Sequence, residues 1–137
     1  MSLHSFKRDE RLKSRKVIGK LFAGGHSFGQ YPLRLVWIEE EHKKGGHTIQ
    51  CTVSVAKKKF PKAVDRNRIR RQIKEAYRLN KHWVYEAMNE QEPPYAFMIL
   101  YVAKEALSYE EIETAMKRML KRFLKKRNFS EASDNQK

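Results

Sequence analysis

Cysteine is nearly absent. Cys51 is the single one among 137 residues, so no disulfide can close within the chain. That fits a reducing compartment. Within an alternating apolar run, Cys51 reads as core. The five histidines, His4, His26, His42, His47 and His82, fall in different elements and at no metal-ligand spacing. No stretch approaches the roughly 20 apolar residues of a membrane span. The basic start, Met1 to Lys16, lacks the apolar middle of a secretory signal. A soluble cytoplasmic protein with no membrane partner is expected. Acids are scarce as well: 30 Lys and Arg face 16 Asp and Glu, a net charge of +14. Such an excess opposes compactness through self-repulsion and calls for a polyanion: nucleic acid, anionic lipid or a heparin-like polymer.

Glycines and prolines number 6 and 4. They punctuate the chain and form no glycine-rich phosphate loop. No internal repeat is present. The length and an apolar fraction of 40% allow one domain over 1–137. Its core is expected at about 8–127, with a loose tail over 128–137.

Val17, Ile18, Leu21 and Phe22 are spaced as a short helix that Gly24-Gly25 stops. Leu33, Leu35 and Trp37 alternate as a strand, and so do Ile49, Cys51, Val53 and Val55. Lys43 to His47, with Gly45-Gly46 inside, reads as a hairpin turn joining the two. Asp65 is expected to cap a long helix whose inner face is Ile69, Ile73, Ala76, Tyr77, Asn80 and Val84. Pro93-Pro94 breaks the chain before Phe97 to Val102, a continuous apolar run that suits a central strand. Ser108 and Glu111 open the last helix as a capping box. Its stripe is Ile112, Ala115, Met116, Met119, Leu120, Phe123 and Leu124. One further strand is allowed. The order predicts an α+β fold: a small α–β sandwich with three helices on an about four-stranded mixed sheet.

Lys57 to Lys74 carries nine basic residues against Asp65 alone, a local balance of +8. They are Lys57, Lys58, Lys59, Lys62, Arg66, Arg68, Arg70, Arg71 and Lys74. Arg66, Arg70 and Lys74 recur every fourth residue, expected opposite the Ile69 and Ile73 stripe. A phosphate backbone arriving there meets cations and free helix N–H groups together. Arginine adds a two-pronged fork for phosphate. A second run, Lys117 to Arg127, holds seven basic residues and no acid. It reads equally as a solvated helix face or as a second RNA-facing surface. No nucleophile motif, paired carboxylate or metal cluster stands out, so protein side chains are not expected to carry chemistry.

Ser54 to Leu79 reads SVAKKKFPKAVDRNRIRRQIKEAYRL. It resembles the signature of the bacterial ribonuclease P protein subunit, a V-A/S-K-K segment followed by an R-N-R box that opens a helix. The box here is Arg66-Asn67-Arg68. Arg11-Leu12-Lys13, with Leu21-Phe22 and Gly25, resembles the family's N-terminal element. The resemblance covers roughly residues 8 to 127. It implies an α–β sandwich with a left-handed βαβ crossover, where a right-handed one is otherwise the rule. It implies assembly with a catalytic RNA that removes the 5′ leader of precursor tRNA hydrolytically, with Mg²⁺ bound mainly by the RNA and no organic cofactor. Lys57, Lys58, Lys59, Lys62, Arg66, Asn67, Arg68, Arg70, Arg71 and Lys74 would face the catalytic RNA. Arg11, Lys13, Ile18 and Phe22 would face the leader, in a cleft between the first helix and the sheet. Ile18 stands where the family carries an aromatic residue. No protein group is assigned to a metal, and no obligate protein partner is implied. Two alternatives are a ribosomal or ribosome-assembly protein and, last, a membrane-surface binder, which would need apolar helix faces that the core here consumes.

Overall fold

In the computed structural model, which describes residues 10–40, 49–89 and 91–127, the chain runs α1 (Arg15–Gly24), β1 (His26–Gln30), β2 (Leu33–Glu39), β3 (Ile49–Val55), α2 (Ala63–Ala87), β4 (Tyr95–Tyr101) and α3 (Tyr109–Lys126). The strands form one mixed sheet in the order β1-β2-β4-β3. β4 is antiparallel to β2 and parallel to β3. The expected class, helix count and strand count are those observed. β4 reads YAFMILY, with no polar position except two tyrosines, so it can be buried on both faces.

The expected hairpin between β2 and β3 is not formed. β4 lies between them, pairing Trp37 with Phe97 on one side and Cys51 with Phe97 on the other. Residues 43–47 lie outside the described residues. The reason is the two-sided burial of β4: its only apolar shelter is the middle of the sheet, and that outweighs the local turn signal. The antiparallel neighbour of β2 on its other side is β1, the further strand. β1 reads HSFGQ and buries only Phe28, so its apolar pattern is too thin to announce it.

α2 and α3 cover one face of the sheet. There Phe123 meets the edges or faces of Trp37, Tyr95 and Phe97 at centroid distances of 5.2, 5.1 and 4.7 Å. The inner stripes of α2 and α3 are buried as their spacing demands, Asn80 included, except for Leu124, which is half-buried; the Asn80 amide donates to the Ala76 carbonyl at 2.8 Å. α1 covers the opposite face with a smaller cluster of Leu12, Leu21, Ala96 and Met98. Cys51 is buried in the larger core, and burial pushes its thiol far up, which makes it unreactive.

Ser14 caps α1, its hydroxyl accepting from the Val17 N–H at 3.3 Å. Gly25 ends that helix with φ −71°, so no left-handed turn is involved. It is required by a close approach instead, since a Cβ there would lie 2.8 Å from the Leu21 carbonyl oxygen and from Val36 Cγ1. The capping box of Ser108 and Glu111 is present in full. For α2 the N-cap is Lys62, without a side-chain bond, and Asp65 sits inside the first turn. Asp65 therefore does not cap. It still favours the positive end of the helix dipole.

The segment before α1 is pinned by a buried ion pair. Lys81 of α2 holds the carboxylate of Glu10, with side-chain exposures of 5% and 1%. The Tyr85 hydroxyl donates to the same carboxylate at 2.8 Å. Two residues on, the Leu12 N–H donates to the Cys51 carbonyl at 2.9 Å, on the outer side of β3. Removing one partner strands a buried charge. Lys81→Ala should cost about 3–5 kcal/mol in urea denaturation, whereas Glu10→Leu combined with Lys81→Met should cost much less. Equal losses would show that packing, and not the charge, is what matters at this site.

Candidate nucleic-acid interface

The parallel pairing of β3 with β4 forces the chain to cross from one end of the sheet to the other between them. α2 makes that return. It starts at the end of the sheet where β3 and β4 finish, so the loop 56–62 and the first turns of α2 stand together there. Two internal bonds fasten the loop. Lys59 Nζ donates to the Val102 carbonyl at 2.9 Å, just past the end of β4. Arg66 Nη1 donates to the carbonyls of Phe60 and Pro61, both at 2.8 Å.

Arg66 is thus turned back on its own loop. The expectation that Arg66, Arg70 and Lys74 stand opposite the apolar stripe does not hold. A helix advances 100° per residue, so residues four apart drift by about 40°. That row begins beside the stripe at Arg66, which is half-buried, and reaches solvent only at Lys74. Arg70 is half-buried too and donates to Asn67 Oδ1 at 2.7 Å. The residues opposite the stripe are Arg68 and Arg71, both exposed. Lys57, Lys58, Lys62 and Lys74 are exposed around them. Among the described residues, none of these six pairs with an acid. The structure so brings nine of the ten candidates to the end of the sheet where β3 and β4 finish, with Lys74 about three turns further along α2. Six are outward cations, while Lys59, Arg66, Asn67 and Arg70 hold the platform's shape.

The other group is less concentrated. Arg11 and Lys13 are exposed in the segment before α1. Ile18 is half-buried against the Ala96 and Met98 cluster. Phe22 is 73% exposed, so it is not core. α1 lies over β2 and β4, and Ser54, on the same face of β3, is exposed. An unburied aromatic ring beside a sheet face is a surface on which a base can stack.

Among the described residues, no three His, Cys, Asp or Glu side chains gather as a metal site. His4, His42 and His47 lie outside those residues. No described helix is long and apolar enough to cross a membrane. Sequence reasoning missed the Glu10, Lys81 and Tyr85 cluster, whose members are 71 and 75 positions apart and carry no local signal.

The sequence model of the family described as Ribonuclease P matches residues 6–124. A Ribonuclease P protein component of Porphyromonas gingivalis is 38% identical over 114 residues, covering 82% of each chain. One from Chlorobaculum tepidum is 31% identical over 129 residues, 88% of this chain and 83% of that one. Among solved structures, the RNase P protein of Thermotoga maritima superposes with a TM-score of 0.63 at 20% identity, over 82% of this chain and 96% of that one. That of Staphylococcus aureus gives 0.60 over 82% and 93%, also at 20% identity.

Arg66 and Arg68 should separate in stability measurements. Arg66→Ala removes two charge-assisted bonds to the loop. It should lower unfolding free energy by about 1.5–3 kcal/mol and speed amide exchange over residues 57–61. Arg68→Ala should stay within about 0.5 kcal/mol of the parent. Equal melting curves for the two would remove Arg66 from its positioning role.

Proposed function

The chain belongs to the ribonuclease P protein family, and on that premise we propose that it serves a ribonucleoprotein endoribonuclease by binding the catalytic RNA and the 5′ leader of precursor tRNA. The observation that carries this reading is the cluster of outward cations at the start of α2, with Arg68 and Arg71 on the helix face opposite its buried stripe. Phosphates set against that cluster meet cations from a loop and a helix at once. The internal bonds of Lys59 and Arg66 fix the loop before RNA arrives, so less ordering is needed on binding. Each contact displaces counterions from the RNA.

The leader would run along α1. Phe22 offers its ring for stacking, and Ile18, half-buried, supports that helix face but cannot stack. Arg11 and Lys13, just before the start of α1, would supply phosphate contacts at the other end of that helix from Phe22. Hydrolysis itself belongs to the RNA and the Mg²⁺ that it binds. The described residues offer no cluster that fits a metal, and no protein side chain is given a chemical step. The protein's contribution is then electrostatic and positional. By neutralising phosphate it lets RNA strands and divalent ions approach at modest ionic strength.

Binding to the catalytic RNA should weaken about 10³-fold or more between roughly 50 and 200 mM salt, because several phosphate contacts are made together. A flat titration would contradict this reading. Variants should then divide the two RNA contacts. Arg68→Ala and Arg71→Ala should each cost roughly 1.5–3 kcal/mol in assembly with the catalytic RNA. Phe22→Ala should cost about 1–3 kcal/mol only for substrate that retains its leader. The measurement is a pair of affinities per variant, with leaderless substrate as the control. Normal assembly of both arginine variants would move the main RNA contact elsewhere, and equal weakening of both substrates by Phe22→Ala would remove the leader contact.

A further inference from the structure

A second groove lies at the opposite edge of the sheet, between β1 and the outer flank of α3. Its cations come from the second basic run. Arg118, Arg122 and Lys126 recur every fourth residue along α3 on the side that meets β1. Arg122 and Lys126 are held in place. Arg122 Nη1 donates to the Gly29 carbonyl at 2.7 Å and to Gln30 Oε1 at 3.2 Å. Its guanidinium sits 4.6 Å from the centroid of Phe28, and the Lys126 ammonium sits 5.5 Å from it. Cations fixed over a ring lose little freedom when an anion arrives. Arg127, by contrast, is spent on Glu92 at 2.7 Å and takes no part.

Each end of this groove opens into a hollow with an aromatic wall. At one end a hollow of about 250 Å³ is lined by His26, Phe28, Trp37 and Lys126. There His26 is exposed although it stacks on Trp37, with centroids 4.4 Å apart and planes 29° from parallel. At the other end a hollow of about 310 Å³ is lined by Tyr31, Gln30, Arg118 and Thr114 among others. Tyr31 is 64% exposed. From His26 to Gln30 the strand spans about 13 Å, at roughly 3.3 Å per residue. Glu110 and Glu111 close the Tyr31 end, so the cationic track stops there.

We propose that this groove binds a short unpaired stretch of RNA, with its phosphates along Arg118, Arg122 and Lys126 and its bases against Tyr31 and His26. Lipid or a heparin-like polymer would use the cations but has no use for two separated ring platforms. A single-stranded RNA uses both. The groove lies at the β1 edge, while the α2 platform adjoins β3 and β4. The protein would therefore hold two RNA segments at once, one at each side of the sheet. The inference rests on the groove's own geometry and stands apart from the family reading.

The test uses the full chain carrying Arg68→Ala and Arg71→Ala, which weakens the α2 platform. A short unstructured oligoribonucleotide containing 4-thiouridine is titrated and then crosslinked by light, and the crosslinked peptides are identified by mass spectrometry. Crosslinks are expected on peptides holding His26 or Tyr31. Adding Tyr31→Ala with Lys126→Gln should weaken the oligonucleotide about fivefold or more. Both side chains are exposed, so the melting curve should be unchanged; if it shifts, Lys126→Gln alone is read. Crosslinks confined to α1 and residues 57–74 would overturn the proposal. So would unchanged affinity in the groove variant, or a heparin fragment that loses as much affinity to Tyr31→Ala as the RNA does.

Discussion

The parallel pairing of β3 with β4 is the constraint on which the rest of the architecture hangs. Two parallel neighbours cannot be joined by a tight turn. The 25 residues of α2 answer that need, and their apolar stripe seals one face of the strands that they join. The same crossing decides where the charge goes. α2 must begin where β3 has just ended, so the lysine-rich loop and the arginine-rich first turns fall together. Had β3 paired with β2 in a hairpin, the basic segment would have left from a sheet edge, with no neighbouring strand end to carry Lys59.

Within that frame, cations divide by what holds them. Lys81 and Arg127 serve buried acids, Glu10 and Glu92. Lys59 and Arg66 reach backbone carbonyls and fasten the loop before α2. Arg68 and Arg71, foremost among the others, face solvent. Net charge alone treats these groups as equal. Their geometry makes the first two sets structural, and it narrows a basic surface to a few positions that a polyanion can reach.

Much of this was legible from the order of residues. The inner faces of α2 and α3 follow from period alone, because burial of Ile73 or Met119 fixes its neighbours three and four away. The two-faced apolar run of β4 announced a central strand. The R-N-R box marked the basic platform without saying which arginine points outward. That answer required helical phase: Arg66 lies beside Ile69 and Ile73 in angle, and a loop carbonyl claims it. β1 stayed hidden because a strand that buries one residue in five positions leaves no alternation to read. The pairing of β2 escaped for a different reason. Two alternating runs around a Gly-Gly look like a hairpin locally, and only the competition for the middle of the sheet, decided by residues 95–101, separates them. Nothing near Glu10 points to Lys81, since ion pairs across the fold have no period.

The two borders of the sheet are unequally guarded. Residues 10–12 run beside β3, where Arg11 bridges to Cys51 and covers part of that border. Among the described residues, β1 has no strand on its outer side. An open border is a template for another copy's backbone. Here it is short, five residues, and Arg122 and Lys126 stand over it, so a second molecule approaching edge-on meets its own sign of charge. This guard is purely electrostatic. Added salt screens it within about 10 Å at 0.1 M and within about 3 Å at 1 M. The colloidal behaviour of the free protein therefore runs against ordinary laboratory habit: the concentrated salt that strips nucleic acid from it also removes what keeps its copies apart.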